Sequence, residues 1–357
     1  MKIGILTHHY IKNYGAFLQV YALQETLKKA FPNDEIYVIN YIKCKHLYIN
    51  IAGWFRFNSK KDSIKTYFQK ITIPFIFSKF EKKYLNTTKK VYNVKQVNKM
   101  NFDTIIIGSD EVWNYEDKKS YDSIKFGKGL TCPNIITYAP STGKSNINNI
   151  PSEVIEGTKN IKAFSARDDA TNDLIVKILK KECTRVLDPT FLYEFPNYKS
   201  KAVEKLKKEK YILMYYCDKL PNELKEKIID YAKTNNLKIY GAGEYQNWFD
   251  NFKININPFE WVEMFKNAEI IFTGTFHGTV FSIKSKKQFY NYLANPSRIK
   301  KVKSLLEQFV INNRIIDDNN YKQIFNNINN NMKYENIYKN IEKYKITSKE
   351  YLKRNIK

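Results

Sequence analysis

The chain offers little sulfur chemistry. Its four cysteines, Cys44, Cys132, Cys183 and Cys217, are scattered over 357 residues with no CxxC pair and no metal-ligand spacing. That excludes a disulfide framework or a zinc module and reads as reduced thiols in a cytoplasmic protein; no metal and no cofactor are expected. Long apolar runs are missing too. The most apolar stretch, "ITIPFIF" (71–77), is short and contains Pro74, whereas a spanning helix needs about 18 apolar residues or more. "MKIGILTHHY" is no signal peptide, because His8 and His9 end its apolar run after a few residues. The reading is a soluble protein, or one that rests on a membrane without crossing it. Acidic residues are few: 36 against 60 Lys and Arg, a formal charge of +24. That sign suits nucleic acid, an anionic membrane surface or a small anionic substrate. A composition rich in Lys, Asn, Ile and Tyr also follows from biased base composition, so charge alone selects no partner. No RGG box, basic zipper, zinc finger or RNP-type strand is present, and nucleic acid is not the expected partner.

What is present is an alternation of short apolar strands with helical spacing. "KIGILTHH" (2–9) reads as a buried strand, and Ala16, Val20, Leu23 and Leu27 share one face of a helix over 13–31. A strand at 35–42 completes a βαβ unit. Strands follow within 102–107, 134–139, 161–165 and 184–188. A second series occupies 209–217, 237–243, 269–274 and 288–294, with helices over 222–236, 257–268 and 276–287. The expected architecture is α/β: two Rossmann-like doubly wound domains facing a cleft. Residues 1–195 form the N-terminal domain, with a helical, aromatic and basic insertion at about 43–100. Residues 196–317 form the C-terminal domain, and 318–357 a helical polar tail that can pack back on the first.

In such sheets ligands bind beyond the carboxyl ends of the strands, so the loops found there are the candidates. They read "HHYIKNYGA", "GSDEVWN", "APSTG", "ARDD", "DPT" and "GTFHGT". Each has a plainer reading, as a helix cap, a turn or a surface ion pair; Asp188-Pro189 in particular reads as a turn signal. His277 stands in the first turn of a helix. There the dipole favours the neutral imidazole that a general base needs, and backbone N–H groups suit an anion. Gly278 would let a ligand approach closely. His8 and His9 end the first strand, and His46 is assigned no role.

Read together, "KIGILTHHYIKNYGAFLQVYALQETLKK", "IIIGSDEVWN", "YAPSTG", "FSARDDATNDL", "LDPTFL" and "IIFTGTFHGTVFSI" resemble the successive blocks of the polysaccharide pyruvyl transferase family, in order from Met1 to about residue 310. The resemblance implies a GT-B-like fold. It also implies transfer of a pyruvyl group from phosphoenolpyruvate, as co-substrate, to two hydroxyls of a sugar or lipid-linked oligosaccharide acceptor. The family's histidine maps onto His277 and one of its arginines onto Arg167. Asp110 is expected as a second base or an acceptor ligand. The donor-binding set is Arg167, Thr275, Gly278, Thr279 and Arg298. The acceptor-binding set is Asn13, Tyr14, Gly15, Ser109, Trp113, Asn114 and Ser141. One departure stands out: characterised members carry an Arg-Leu pair before the histidine, and here Thr275 and Phe276 occupy those positions.

Residues 54–90 combine many aromatics with lysines, opposed only by Asp62 and Glu81. Such a segment can lie in an anionic membrane interface, on the inner face of the membrane, or form a helical subdomain whose aromatics pack inward. Two other functions fit parts of the sequence. A GT-B-like glycosyltransferase with a nucleotide-sugar donor would use the glycine-ended strand "KIYGAG". A non-catalytic basic protein binding anionic polymer would need only the charge.

Overall fold

The computed structural model describes every residue except 59–62, 218, 318, 327, 329–331 and 357. Asp62 and parts of the polar tail therefore lie outside the described residues. The chain divides into two compact units. The first comprises Met1–Trp54, Ser78–Glu194 and Asn340–Lys357; the second comprises Phe55–Phe77 and Phe195–Lys339.

In the first unit, β1 (Lys2–Leu6), β2 (Glu35–Val38), β3 (Thr104–Ile107) and β4 (Asn134–Thr137) form a parallel sheet in the order β2-β1-β3-β4. β5 (Phe164–Ala166) and β6 (Cys183–Arg185) pair in parallel, and an Ile136–Ala163 bridge continues the sheet to them. Ile3, Ile5, Ile105, Ile106 and Ile107 are buried, as runs without polar alternation demand when a sheet is covered on both faces. The helix Tyr14–Ala30 starts where the Asn13 side chain accepts from the Ala16 N–H, and Ala16, Val20, Leu23 and Leu27 are all buried. Each buried Val or Leu contributes about 1.5–3 kcal/mol. The chain leaves β1 for β2 on one side and reaches β3 on the other. The strand order thus reverses between β1 and β3, which opens a crevice at their carboxyl ends.

The second unit has six parallel strands: β7 (Tyr211–Tyr215), β8 (Lys238–Ala242), β9 (Asn251–Lys253), β10 (Ile270–Thr273), β11 (Gln288–Tyr292) and β12 (Ile315–Ile316). Their order is β12-β11-β10-β7-β8-β9. Counted within the unit, this is the 3-2-1-4-5-6 order of a dinucleotide-type Rossmann sheet, with its reversal between β7 and β10. β9 and β12 are too short to show a periodicity in the sequence.

The division corrects the expected domain limits. Residues 55–77 belong to the second unit, not to the N-terminal domain. Gln69 accepts from the Ile254 N–H at 3.0 Å and Thr72 from Asn255 at 3.0 Å, which ties this stretch to the β9 region. The last helix, Tyr334–Asn355, is shared. Its Tyr338 donates to Lys284 O in the second unit, whereas Tyr351 donates to Thr137 O and Ser348 accepts from the Leu187 N–H in the first.

Candidate active site

In the first unit, the carboxyl ends of β3, β5 and β6 deliver Asp110, Arg167 and Asp188 to one point. Arg167 donates through Nη1 to Asp188 Oδ2 at 2.5 Å and to Ser109 Oγ at 3.3 Å, and through Nη2 to Asp110 Oδ1 at 3.2 Å. Asp188 is held in turn by the Thr190 N–H at 3.0 Å and hydroxyl at 2.6 Å. Arg167 and Asp188 are 1% and 0% exposed at their side chains, but Asp110 is 19% exposed. Burial alone lowers the pKa of Arg167, but Asp188, Asp110 and Asp168 outweigh it and hold the guanidinium above its ordinary value. Asp110 is the member of the cluster that reaches solvent. Its backbone lies at φ +78°, a left-handed conformation that costs a non-glycine residue on the order of 1–3 kcal/mol. Arg167 is thus buried between two carboxylates and positions Asp110.

Beside it, at the end of β1, lies a buried titratable cluster. Lys125 Nζ meets His8 Nε2 and donates to Ser120 O; Tyr10 OH pairs with His46 Nδ1 at 2.9 Å, and His9 Nε2 with Asn40 Oδ1 at 3.0 Å. Burial pushes the three histidines down, His9 and His46 to about 4. It pushes Lys125 from 10.5 to about 7, with Asp122, Asp117 and Asp110 opposing the shift and Lys43 adding to it. The unfolded chain keeps the lysine proton up to its ordinary pKa, so between pH 7 and pH 10.5 the unfolded state binds more protons and stability rises with pH. The melting temperature of the native protein relative to Lys125→Met is expected to climb across that window. Parallel curves would contradict the assignment.

In the second unit, β10 ends at Thr273, and the chain passes through Gly274 and Thr275 into the helix Phe276–Lys284. Thr275 is the helix cap: its hydroxyl accepts from the Gly278 N–H at 3.0 Å. His277 follows in the first turn, half-buried, its ring edge-on to Phe276 at 5.3 Å. The first-turn N–H groups make this end electropositive. It sits where the strand order reverses, because Gly274 is packed under the Tyr216 carbonyl that follows β7: a Cβ there would stand 2.6 Å from that oxygen. The same carbonyl accepts from Arg298 Nη1 at 3.4 Å, and the Arg298 guanidinium lies 5.7 Å from the centre of the Tyr216 ring. Arg298, Tyr216, Thr275 and His277 thus share one edge of one sheet. Thr275→Ala is expected to cost about 1 kcal/mol by loss of the cap, read as a lower melting temperature, while Thr275→Ser stays near the native value.

Several of the expected ligand residues carry structural contacts. A Cβ on Gly278 would lie 2.1 Å from Thr273 Oγ1, so this glycine lets helix and strand pack closely. Thr279 is fully buried, donating to Thr275 O and accepting from Asn291. Trp113 is also fully buried, stacked at 5.2 Å on Phe126 with its Nε1 donating to Lys125 O, so it anchors the loop from inside and offers no surface to an acceptor. Tyr14, Gly15, Ser109, Asn114 and Ser141 are buried as well. Asn114 is engaged by Ser145 and the Asp117 N–H, and Ser141 by the Gly143 N–H. Asn13 is exposed but serves as a helix cap. Asp188, read as a turn, is the buried partner of Arg167. A charged residue directly after an apolar strand was the available signal, in common with Asp110 and Arg167. Lys125, His46 and Tyr216 carried no motif.

The model of the family described as polysaccharide pyruvyl transferase matches residues 13–297. No curated protein matches the chain. Among solved structures, S. aureus MnaA in complex with UDP aligns at TM-score 0.51 with 13% identity, covering 94% of this chain and 90% of that one. The Methanocaldococcus jannaschii UDP-GlcNAc 2-epimerase in complex with UDP-GlcNAc and UDP aligns at 0.47 with 13% identity, covering 91% of each chain. A glycotransferase of kitacinnamycin aligns at 0.49 with 10% identity, covering 99% and 98%. At such identity the MnaA alignment speaks to fold alone, two Rossmann-like halves as in GT-B proteins. The family match spans most of the chain, and the protein belongs to the polysaccharide pyruvyl transferase family and is a transferase.

Proposed function

We propose that the enzyme transfers a pyruvyl group from phosphoenolpyruvate to two hydroxyls of a sugar in a cell-surface polysaccharide or its lipid-linked precursor. The observation that carries this reading is His277 in the first turn of a helix at the reversal point of the second sheet, at the same carboxyl end where Arg298 meets the Tyr216 carbonyl. The atoms balance as follows. A proton reaches the methylene carbon of the enol, and carbon 2 becomes electrophilic. One sugar hydroxyl adds to carbon 2 and loses its proton. The second hydroxyl then displaces phosphate, which leaves with the remaining proton, and a cyclic ketal results. An imidazole can give the first proton and take the later ones. The planar guanidinium of Arg298 and the first-turn N–H groups suit the donor's phosphate and carboxylate. Asp110, held by Arg167, is assigned to the acceptor as ligand or second base. Thr275 supplies a cap where an arginine was expected, so Arg298 carries the cationic part of donor binding.

A glycosyltransferase using a nucleotide-sugar donor is the second reading, favoured by the Rossmann strand order of the second unit. The glycines of "KIYGAG" lend it no support at Gly241, which is packed against Glu244 and Phe249. Thermal-shift titration separates the two. Stabilisation by phosphoenolpyruvate supports pyruvyl transfer, and stabilisation by nucleoside diphosphates alone supports the alternative.

A further inference from the structure

The helix Ile64–Tyr84 presents an apolar face to solvent. Its inward face is ordinary: Thr66, Ile73, Phe77 and Phe80 are buried. On the opposite side, residues 64, 68, 71 and 75 recur at the i, i+4, i+7, i+11 spacing of one stripe, and polar residues would be expected there. They are Ile64 (73% exposed), Phe68 (62%), half-buried Ile71 and Phe75 (68%). Phe55 and Phe57, both exposed, widen the stripe through ring contacts with Phe75 at 6.3 Å and Tyr67 at 5.3 Å. The same face continues at i+4 and i+7 from Phe75 as Lys79 and Lys82, both exposed. The helix carries five lysines and one acid, Glu81, and Glu81 is bound to Lys12 at 2.6 Å. Nothing acidic on this helix opposes the lysines in solvent.

We propose that this stripe seats the protein on an anionic bilayer surface. Aromatic and aliphatic side chains enter the headgroup boundary, while lysines in line with them meet lipid phosphates. Charge also argues against a second copy as the occupant. Two chains of +24 repel. No described helix is long and apolar enough to cross a membrane, so contact is from one side. Binding stands on this surface alone; only its purpose, delivery to a lipid-linked acceptor, rests on the proposed function.

The test floats full-length protein with phosphatidylcholine vesicles, with and without phosphatidylglycerol, at low salt. The native chain is expected to float only with the anionic vesicles. Phe68→Gln/Phe75→Gln should bind about tenfold more weakly or worse, with an unchanged melting temperature and unchanged turnover of a soluble acceptor. Should that variant melt lower, Lys79→Gln/Lys82→Gln decides by the same loss. No flotation of the native chain, equal flotation of a folded variant, or flotation indifferent to anionic lipid would overturn the proposal. So would native self-association that the phenylalanine variant abolishes. Flotation as expected without any pyruvyl transfer would sink the proposed function and leave the docking face standing.

Discussion

Replacing His277 with alanine is expected to lower acceptor-dependent phosphate release from phosphoenolpyruvate by about 10²–10⁴-fold, the usual worth of one positioned acid–base group. The melting temperature should barely move, because the ring is half-buried and meets Phe276 edge-on. The cap and the tight helix packing belong to Thr275 and Gly278, and both remain. His277→Gln should be as slow as alanine, since an amide keeps a hydrogen bond but shuttles no proton. A fall in kcat with little change in KM for the donor would place the loss in the chemical step. Undiminished turnover in either variant would remove His277 from the mechanism.

The second large effect is on stability. Asp188→Ala should cost about 3–5 kcal/mol, because it removes the fully buried partner of the buried Arg167 guanidinium. The loss is read as a lower denaturant midpoint. Replacing both partners, as Arg167→Leu/Asp188→Leu, should be less harmful than Asp188→Ala, since the buried guanidinium and its fully buried carboxylate are then removed together. The double variant nevertheless frees Asp110 and should lose activity. Equal stability of native protein and Asp188→Ala would show that the cluster does not hold the fold.

How much of this was legible beforehand follows from what is local. The alternation of β1, β3, β7 and β10 with their helices was read from apolar runs, and the position of His277 from the strand before it and the glycine after it. Caps were partly legible: Asp168 stands directly before its helix, whereas Asn257 reads as part of its helix and Thr275 as a ligand. The strand order was not legible, because pairing of β7 with β10 joins segments almost 60 residues apart and leaves no periodic trace. The same holds for Arg167, whose partners lie 57 and 21 residues away. Trp113 was misplaced for a related reason: its aromatic ring suits a sugar as well as a core, and only the stacked Phe126 decides. The helix Ile64–Tyr84 shows the converse. Its composition suggested two faces, but which aromatics turn outward depends on what covers Ile73 and Phe77, and that is a tertiary fact.

The most direct test of the central claim is the donor itself. Purified protein is mixed with phosphoenolpyruvate and lipid-linked sugars bearing two neighbouring free hydroxyls, and phosphate and product are followed together. Phosphate release that needs the acceptor, matched by a pyruvate ketal on the sugar and abolished in His277→Ala, is the predicted result. Transfer of a sugar from a nucleotide donor, with phosphoenolpyruvate left intact, would contradict it.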